Sequence, residues 1–354
     1  MTPFVSVIIP CRNEVRFIAG CLESVLSNDY AGDRFEVLVV DGMSDDGTRE
    51  ILSRFCAHDP RVRMLDNPDR ITPSGLNRGI HAAQGEIIAR VDAHARIARD
   101  YLSLCVKHLE ESRADNVGGV MRTLAQGPGP FSEPILLVLS HPFGVGNSHF
   151  RVGSDAPRWV DTVFGGCWRR DLFARIGGFN VKLRRSQDME FSRRLAAAGG
   201  RTLLAPDVRS EYFARTRFIK FLRHNFVNGQ WAILPFLHCQ HIPVSWRHLI
   251  PLAFVLTLMS AAMAFRAIAW PMAVVAGVYL LVNLGVSAQL AVKKSQPFLF
   301  FPLAITFFGL HFSYGAGSLC GLVQTAGILS LRLTRRFFVK PTESKDSTTA
   351  RSTF

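Results

Sequence analysis

Ser6-Val-Ile-Ile-Pro-Cys-Arg-Asn-Glu14 is the stretch from which the fold can be read. The apolar run Val5–Ile9 reads as a buried strand, and Pro10 is the turn signal that closes it. A turn through Asn13 then leaves Arg12, Asn13 and Glu14 at the strand's carboxyl end. Further on, Glu36–Val40 repeats the pattern and stops at Asp41. Between the two strands, Arg16–Leu26 carries Phe17, Ile18, Cys21, Leu22, Val25 and Leu26 at helical spacing. Thr48–Cys56 resumes a helix, Val62–Leu65 is a third strand, Ser74–Ala83 is helical, and Ile87–Val91 is a strand ending on Asp92. Strand and helix in alternation predict an α/β fold, a mainly parallel sheet with helices on both faces. Ligands on such sheets bind beyond the carboxyl ends of the strands. Pro10, Asp41 and Asp92 all lie at such ends.

The totals bound the partners. At 354 residues, one catalytic domain plus an appendage is expected. The net charge of +13, from 41 Lys+Arg against 28 Asp+Glu, forms neither a tail nor a stripe. Many of the cations fall between Arg151 and Arg247, just before a strongly apolar final third, which suits an anionic bilayer surface. No nucleic-acid recognition motif accompanies the charge, so nucleic acid is not an expected partner. The seven cysteines are scattered without a CxxC pair. This argues against a disulfide framework or structural zinc, and for a reducing compartment. With no signal-peptide pattern at the start, residues 1–240 are expected to form a catalytic domain on the cytoplasmic side.

From Leu249 the composition changes. Leu249–Phe265 is 17 residues without a charge, Ala267–Val292 is 26, and Pro297–Leu331 is 35. A bilayer core needs roughly 20 apolar residues per helix. Residues 249–331 therefore read as three to four helices in the inner (cytoplasmic) membrane. The longest stretch is expected to be a hairpin turning near Ser313–Ser318, where Gly315 and Gly317 permit it. That hairpin would keep Arg332, Arg335, Arg336 and Lys340 on the cytoplasmic side with Lys293 and Lys294, as the positive-inside tendency prefers. The Ser/Thr-rich tail, 341–354, is expected to be disordered. Phe213–Phe236 interleaves Arg215, Arg217, Lys220, Arg223 and His224 with aromatic and aliphatic residues. It reads as a helix in the membrane interface, or equally as one packed on the catalytic domain.

Three further clusters carry chemistry. In Val39-Val-Asp-Gly-Met-Ser-Asp-Asp-Gly-Thr48, Asp41 can accept hydrogen bonds from a ribose or base edge. Ser44, Asp45 or Asp46 can cap the helix that follows, Asp46 being best placed. In Ile88-Ala-Arg-Val-Asp-Ala-His94, Asp92 and His94 can turn toward one cation. Carboxylate plus imidazole suits Mn²⁺ or Mg²⁺, with donor phosphate oxygens completing the shell. The last cluster is Gln187-Asp-Met-Glu-Phe-Ser-Arg-Arg194, which follows the Gly-rich Phe164–Arg169 and Ile176–Phe179. Asp188 opens a helix there and is either a dipole partner or a general base. Sugar transfer by direct displacement needs such a base near the attacking hydroxyl, and an electrophile for the departing diphosphate.

In this order the four clusters resemble the family 2 glycosyltransferases of the GT-A fold. With Asp-Ala-His in place of Asp-x-Asp, the chain is similar to the succinoglycan-biosynthesis, ExoA-like subgroup. The resemblance runs over about residues 4–235, through Phe143–Arg151, Val160–Gly166 and Tyr212–Trp231. It implies that Asp41 binds the nucleoside, that Asp92 and His94 bind the metal and diphosphate, and that Asp188 is the base. Pro10, Arg12, Asn13, Glu14 and Asn77 join Asp41 and Asp92 in the expected donor-binding set. Gln187 stands where the family usually has Glu, which leaves the base role to Asp188, with Glu190 as the fallback. The Gln-x-x-Arg-Trp motif of processive synthases is absent, although Gln230-Trp231 occurs, so transfer of a single sugar is expected. The implied donor is a UDP-hexose such as UDP-glucose. The implied acceptor is a hydroxyl on a polyprenyl-linked or other membrane glycan of exopolysaccharide synthesis. A metal-dependent nucleotidyltransferase would normally carry a Gly-rich loop near its first strand, and residues 10–16 contain no glycine. A transporter or nucleotide-sugar sensor fits less well, because the apolar stretches contain no Asp, Glu or Lys and transport paths are usually marked by such groups.

Overall fold

The structure is a computed structural model that describes residues 2–239, 242–263 and 266–338. The first half alternates as expected: β1 (Val5–Cys11), α1 (Ile18–Leu26), β2 (Phe35–Asp41), α2 (Thr48–His58), β3 (Val62–Asp66), α3 (Thr72–Ala82) and β4 (Ile87–Arg90). There follow β5 (Ala95–Ile97), α4 (Tyr101–Ser112), β6 (Asn116–Ala125), α5 (Ser132–Leu139), α6 (Pro142–Val145), α7 (His149–Val152), β7 (Arg158–Val160) and β8 (Cys167–Arg169). This part of the chain closes with α8 (Asp171–Ile176), α9 (Gln187–Ala197), β9 (Thr202–Ala214) and α10 (Phe218–Ile233). All nine strands join one mixed sheet in the order β3-β2-β1-β4-β8-β6-β9-β5, with β7 also on β9.

The strands β3, β2, β1 and β4 are parallel to one another. Every residue of β2 is buried, because helices cover both faces; that is why these strands read as unbroken apolar runs rather than alternating ones. Register brings Cys11 opposite Asp41, and Ile8 opposite Arg90. The carboxyl ends of β1, β2 and β4 therefore share one rim. β1 runs one residue past Pro10, further than the turn signal predicts. Ile8 bonds toward β4 through its carbonyl, and the β4 pairing ends at that residue. The N–H that Pro10 lacks therefore has no ladder partner to lose.

The apolar third forms α11 (Ile250–Met263), α12 (Arg266–Lys293) and α13 (Phe300–Phe338). Two stretches, Trp270–Lys293 and Pro297–Leu331, are long and apolar enough to cross a membrane. α12 exposes Trp270, Val274, Val275, Val278, Leu280, Leu281 and Val282, an apolar surface that extends over more than one stripe of the helix. At 14 residues, α11 rises only about 21 Å, short of a ~30 Å bilayer core. The hairpin expected at 313–318 does not form, since α13 passes through it as continuous helix. Its glycines serve a different end. A Cβ at Gly317 would lie 1.9 Å from the Phe226 carbonyl oxygen, and one at Gly315 would lie 2.0 Å from that of Pro251. Gly229 on α10 meets the Tyr314 carbonyl in the same way, at 1.9 Å. Small residues thus let α10, α11 and α13 touch backbone to backbone. The segment read as either interfacial or packed is, as α10, packed along α13. The tail 341–354 lies outside the described residues.

Candidate active site

The site is built around a charge where the strand pattern leaves none to be expected. Arg90 ends β4 and is buried. Its Nε donates to Asp92 Oδ1 at 3.0 Å and its Nη1 donates to Asp188 Oδ1. Taking a guanidinium out of water is costly unless it is paired. Burial works against the charge, but Asp188 and Asp92 outweigh it and raise the Arg90 pKa above its ordinary value. β4 and the start of α9 are thereby tied together. Arg90 had no assigned role in the sequence reading. Its signal was available, since a lone arginine inside an apolar strand has to find a counter-charge.

Asp92 and His94 both lie in the turn between β4 and β5, where Ala95 N–H donates to the Asp92 carbonyl. Glu14, read as a donor contact, stands beside them, with Oε1 3.0 Å from His94 Nδ1. Nδ1 is buried, and this ion-pair contact with Glu14 is its one polar contact among the described residues. Burial opposes the imidazolium, yet Glu14 and Asp92 prevail and raise His94 above 6.5. Among the described residues no three His, Cys, Asp or Glu side chains converge to hold a metal unaided. An imidazole with Glu14 against it and Asp92 two residues away fits a cation whose shell phosphate oxygens complete.

The remaining expected residues divide. Asp41 is fully buried at the end of β2 and accepts from Ser44 N–H at 3.0 Å, Ser44 Oγ at 2.5 Å and Arg49 Nη1 at 2.7 Å. Asn13, with φ of 55°, exchanges side-chain bonds with Asp45 and so joins the loops after β1 and β2. Asp46 accepts the Thr48 N–H at 3.1 Å, as a helix cap would. Arg12 is exposed on the same rim, with Nη1 3.3 Å from the Arg70 carbonyl, and Pro10 lies behind it. Asn77 is engaged within the protein. Its amide donates to the Phe179 carbonyl at 2.8 Å and accepts the Phe179 N–H at 2.7 Å. Both its functions are used in bracketing the Gly-Gly loop onto α3. Glu190 is buried and paired with Arg194 at 2.9 Å, four residues along α9. Asp188 uses only Oδ1, and its Oδ2 makes no hydrogen bond among the described residues.

Arg90, Asp92 and Asp188 open onto a cavity of about 670 Å³ that reaches Phe254 of α11, Tyr279 of α12 and Tyr314 of α13. One wall of the site is therefore the sheet rim and the other is the apolar helices.

A mixed sheet with this order, with strand-end carboxylates on one rim, is a GT-A fold. Residues 6–168 match the family model described as glycosyl transferase family 2, and the chain carries a domain of that family. It is similar to the succinoglycan biosynthesis protein ExoA of Rhizobium meliloti (strain 1021), with 29% identity over 314 residues, 88% of this chain and 92% of that protein. It is also similar to the dolichyl N-acetyl-alpha-D-glucosaminyl phosphate 3-beta-D-2,3-diacetamido-2,3-dideoxy-beta-D-glucuronosyltransferase of Methanococcus voltae. There the identity is 25% over 329 residues, 91% of this chain and 98% of that protein. Among solved structures, the mannosyltransferase PcManGT from Pyrobaculum calidifontis, in complex with GDP-Man and Mn²⁺, superposes with a TM-score of 0.60 at 22% identity. That match covers 92% of this chain and 88% of that one. It supports the fold.

Proposed function

We propose that the chain is an inverting hexosyltransferase that moves one sugar from a UDP-hexose to a hydroxyl of a lipid-linked glycan at the cytoplasmic face of the inner membrane. The observation that carries the reading is that Asp92 and Asp188 face one cavity, joined by Arg90, with a sheet rim on one side and membrane-grade helices on the other. The acceptor oxygen attacks the anomeric carbon, the bond to the diphosphate breaks, and the electron pair leaves on the nucleoside diphosphate. Asp188 Oδ2, the uncommitted oxygen, takes the hydroxyl proton. Arg90 holds that carboxylate and Asp92 at fixed separation, and positioning of this kind is a large part of such catalysis. Asp92 and His94 are the residues that would hold Mn²⁺ or Mg²⁺ with the donor phosphates, and the cation would offset charge on the leaving diphosphate.

Asp41, with Pro10, Arg12 and Asn13 on the same rim, is assigned to the nucleoside side. The likeness to a succinoglycan-biosynthesis protein and to a transferase acting on a dolichyl-phosphate sugar supports a lipid-linked acceptor in cell-surface polysaccharide synthesis. The test is a donor screen with the full chain in detergent, with Mn²⁺ or Mg²⁺ and a membrane lipid extract, read as released nucleoside diphosphate. UDP-glucose or a related UDP-hexose should release UDP in a lipid-dependent way. Release from no nucleotide sugar would remove the transferase reading.

A further inference from the structure

The cavity that holds Asp92 and Asp188 is also lined by Arg151 and Arg215, and Arg185 reaches His224 and Asn228 of the same wall; the transfer chemistry leaves all three arginines unused. Arg151 on α7 lies 5.6 and 5.7 Å from the ring centres of Phe150 and Tyr212, and its Nη1 is buried without a hydrogen-bond partner. Arg215, just after β9, reaches His224 Nδ1 at 2.8 Å. Arg185, in the turn before α9, reaches the same nitrogen at 3.5 Å and Asn228 Oδ1 at 2.7 Å. None of the three has a carboxylate partner among the described residues. Burial lowers the pKa of Arg151, and burial together with Arg215 lowers that of Arg185. Buried cations without counter-charge are costly. A folded protein that keeps the buried Arg151 nitrogen unpartnered, with half-buried Arg185 and exposed Arg215 beside it, has an anion to place there.

Position separates the two sources of such an anion. The proposed nucleoside contact, Asp41, ends β2, whereas Arg215 follows β9 on the far side of β4 in the sheet order. Past the arginines the cavity wall is Phe143, Phe254, Tyr279 and Leu310. An anion on the cluster therefore has Asp188 on one flank and an apolar wall on the other, which is the pattern of a lipid phosphate with its chain attached. We propose that Arg151, Arg185 and Arg215 bind the phosphate or diphosphate of the lipid-linked acceptor, with its hydrocarbon chain leaving along α11–α13. This rests on the glycosyltransferase reading; the donor's own diphosphate is the competing source.

The experiment uses the full chain in detergent, with farnesyl phosphate and farnesol as lipid probes, and UDP with Mn²⁺ as the donor probe. Farnesyl phosphate should bind at least tenfold more tightly than farnesol. Arg151→Gln and Arg215→Gln should each weaken farnesyl phosphate by roughly ten- to hundredfold, the range for a charge-assisted bond, and leave UDP affinity within about twofold. Equal binding of the phosphate and the alcohol by the wild type would overturn the proposal. So would an equal loss of UDP and lipid affinity in the variants, which would assign the cluster to the donor. Arg215 is exposed, so Arg215→Gln carries the test should Arg151→Gln fail to fold. Wild-type binding of farnesyl phosphate without any binding of UDP would remove the transferase reading and leave the arginine site standing.

Discussion

Arg90 and Asp188 are 98 residues apart in the chain and paired in the structure. The guanidinium reaches from the end of β4 to the first turn of α9, with Asp92 on its other nitrogens. One buried side chain thus sets the distance between the proposed metal carboxylate and the proposed base. Arg90→Lys keeps the charge but cannot fork two carboxylates at once. Its kcat should fall by roughly tenfold or more while the melting temperature changes little. Arg90→Met should also cost about 1.5–3 kcal/mol of stability through lost charged hydrogen bonds. Full activity in both variants would show that the bridge is incidental.

Asp92→Ala and His94→Ala should each reduce transfer by orders of magnitude, and a chelator should do the same to the native chain. Because His94 is raised above 6.5 by Glu14 and Asp92 against the effect of burial, its proton competes with a cation to higher pH than a free imidazole's would. Apparent Mn²⁺ affinity should weaken by roughly tenfold per pH unit on the acid side of that pKa. Removing the Glu14 charge with Glu14→Gln should move this limb to lower pH. Calorimetric titration of Mn²⁺ in the presence of UDP measures both effects.

Asp188→Asn keeps the size of the side chain and removes its basicity. Transfer should drop by roughly 10²–10⁴, the usual range for general-base catalysis, with UDP binding retained. Glu190→Gln is the contrast, because Glu190 is buried against Arg194. It should lower the melting temperature but keep turnover per folded molecule. The reverse pattern in single-turnover assays would move the base two residues along.

His224 is pushed down to about 3, by burial first and then by Arg185, Arg215 and Arg151. Its folded pKa lies below its unfolded value, so its contribution is fully present above about 6.5 and is lost as pH falls toward about 3. Without lipid or donor, the loss should be on the order of 1 kcal/mol by pH 5.5. Thermal unfolding at pH 7.5 and 5.5 tests this, and His224→Asn should narrow the difference.

Gly317→Ala places a methyl 1.9 Å from the Phe226 carbonyl oxygen, and overpacking of this kind costs about 1–3 kcal/mol. Gly277→Ala on α12 meets nothing within 4 Å and should be neutral or stabilising by up to about 1 kcal/mol. Melting temperatures of the two variants in one detergent compare them directly.

What the sequence made legible was whatever local pattern dictates. Val5–Ile9, Glu36–Val40 and Ile87–Val91 are buried on both faces and could be little else than central strands, so Asp41 and Asp92 could be placed on the rim. Asp188 was placed at a helix start for the same reason. The losses came where one residue type serves two ends. Gly315 and Gly317 lack a Cβ, which permits a turn and permits backbone contact alike, and only the positions of α11 and α10 decide between them. Asn77 has an amide suited to a ligand, but its partner Phe179 lies 102 residues away. The convergence of Arg151, Arg185 and Arg215 arises from three separate connections and has no local signature.

The glycine seam between α10 and α13 also bears on how such enzymes can be rearranged. Catalytic domains and membrane anchors are often treated as exchangeable parts joined by a linker. Here the join is a surface: Phe226, Gly229 and Gln230 are shaped to Gly317, Tyr314 and Gly321. An anchor borrowed from another protein would need small residues at the heights of Gly317 and Gly321 to seat the domain. A chain cut after α10 would bare Phe221 and Leu222, which pack with Leu303 and Phe307 in the whole protein. Such a cut should yield an aggregating fragment rather than a free soluble enzyme. New acceptor specificity is therefore more accessible by changing side chains within the shared cavity than by trading one anchor for another.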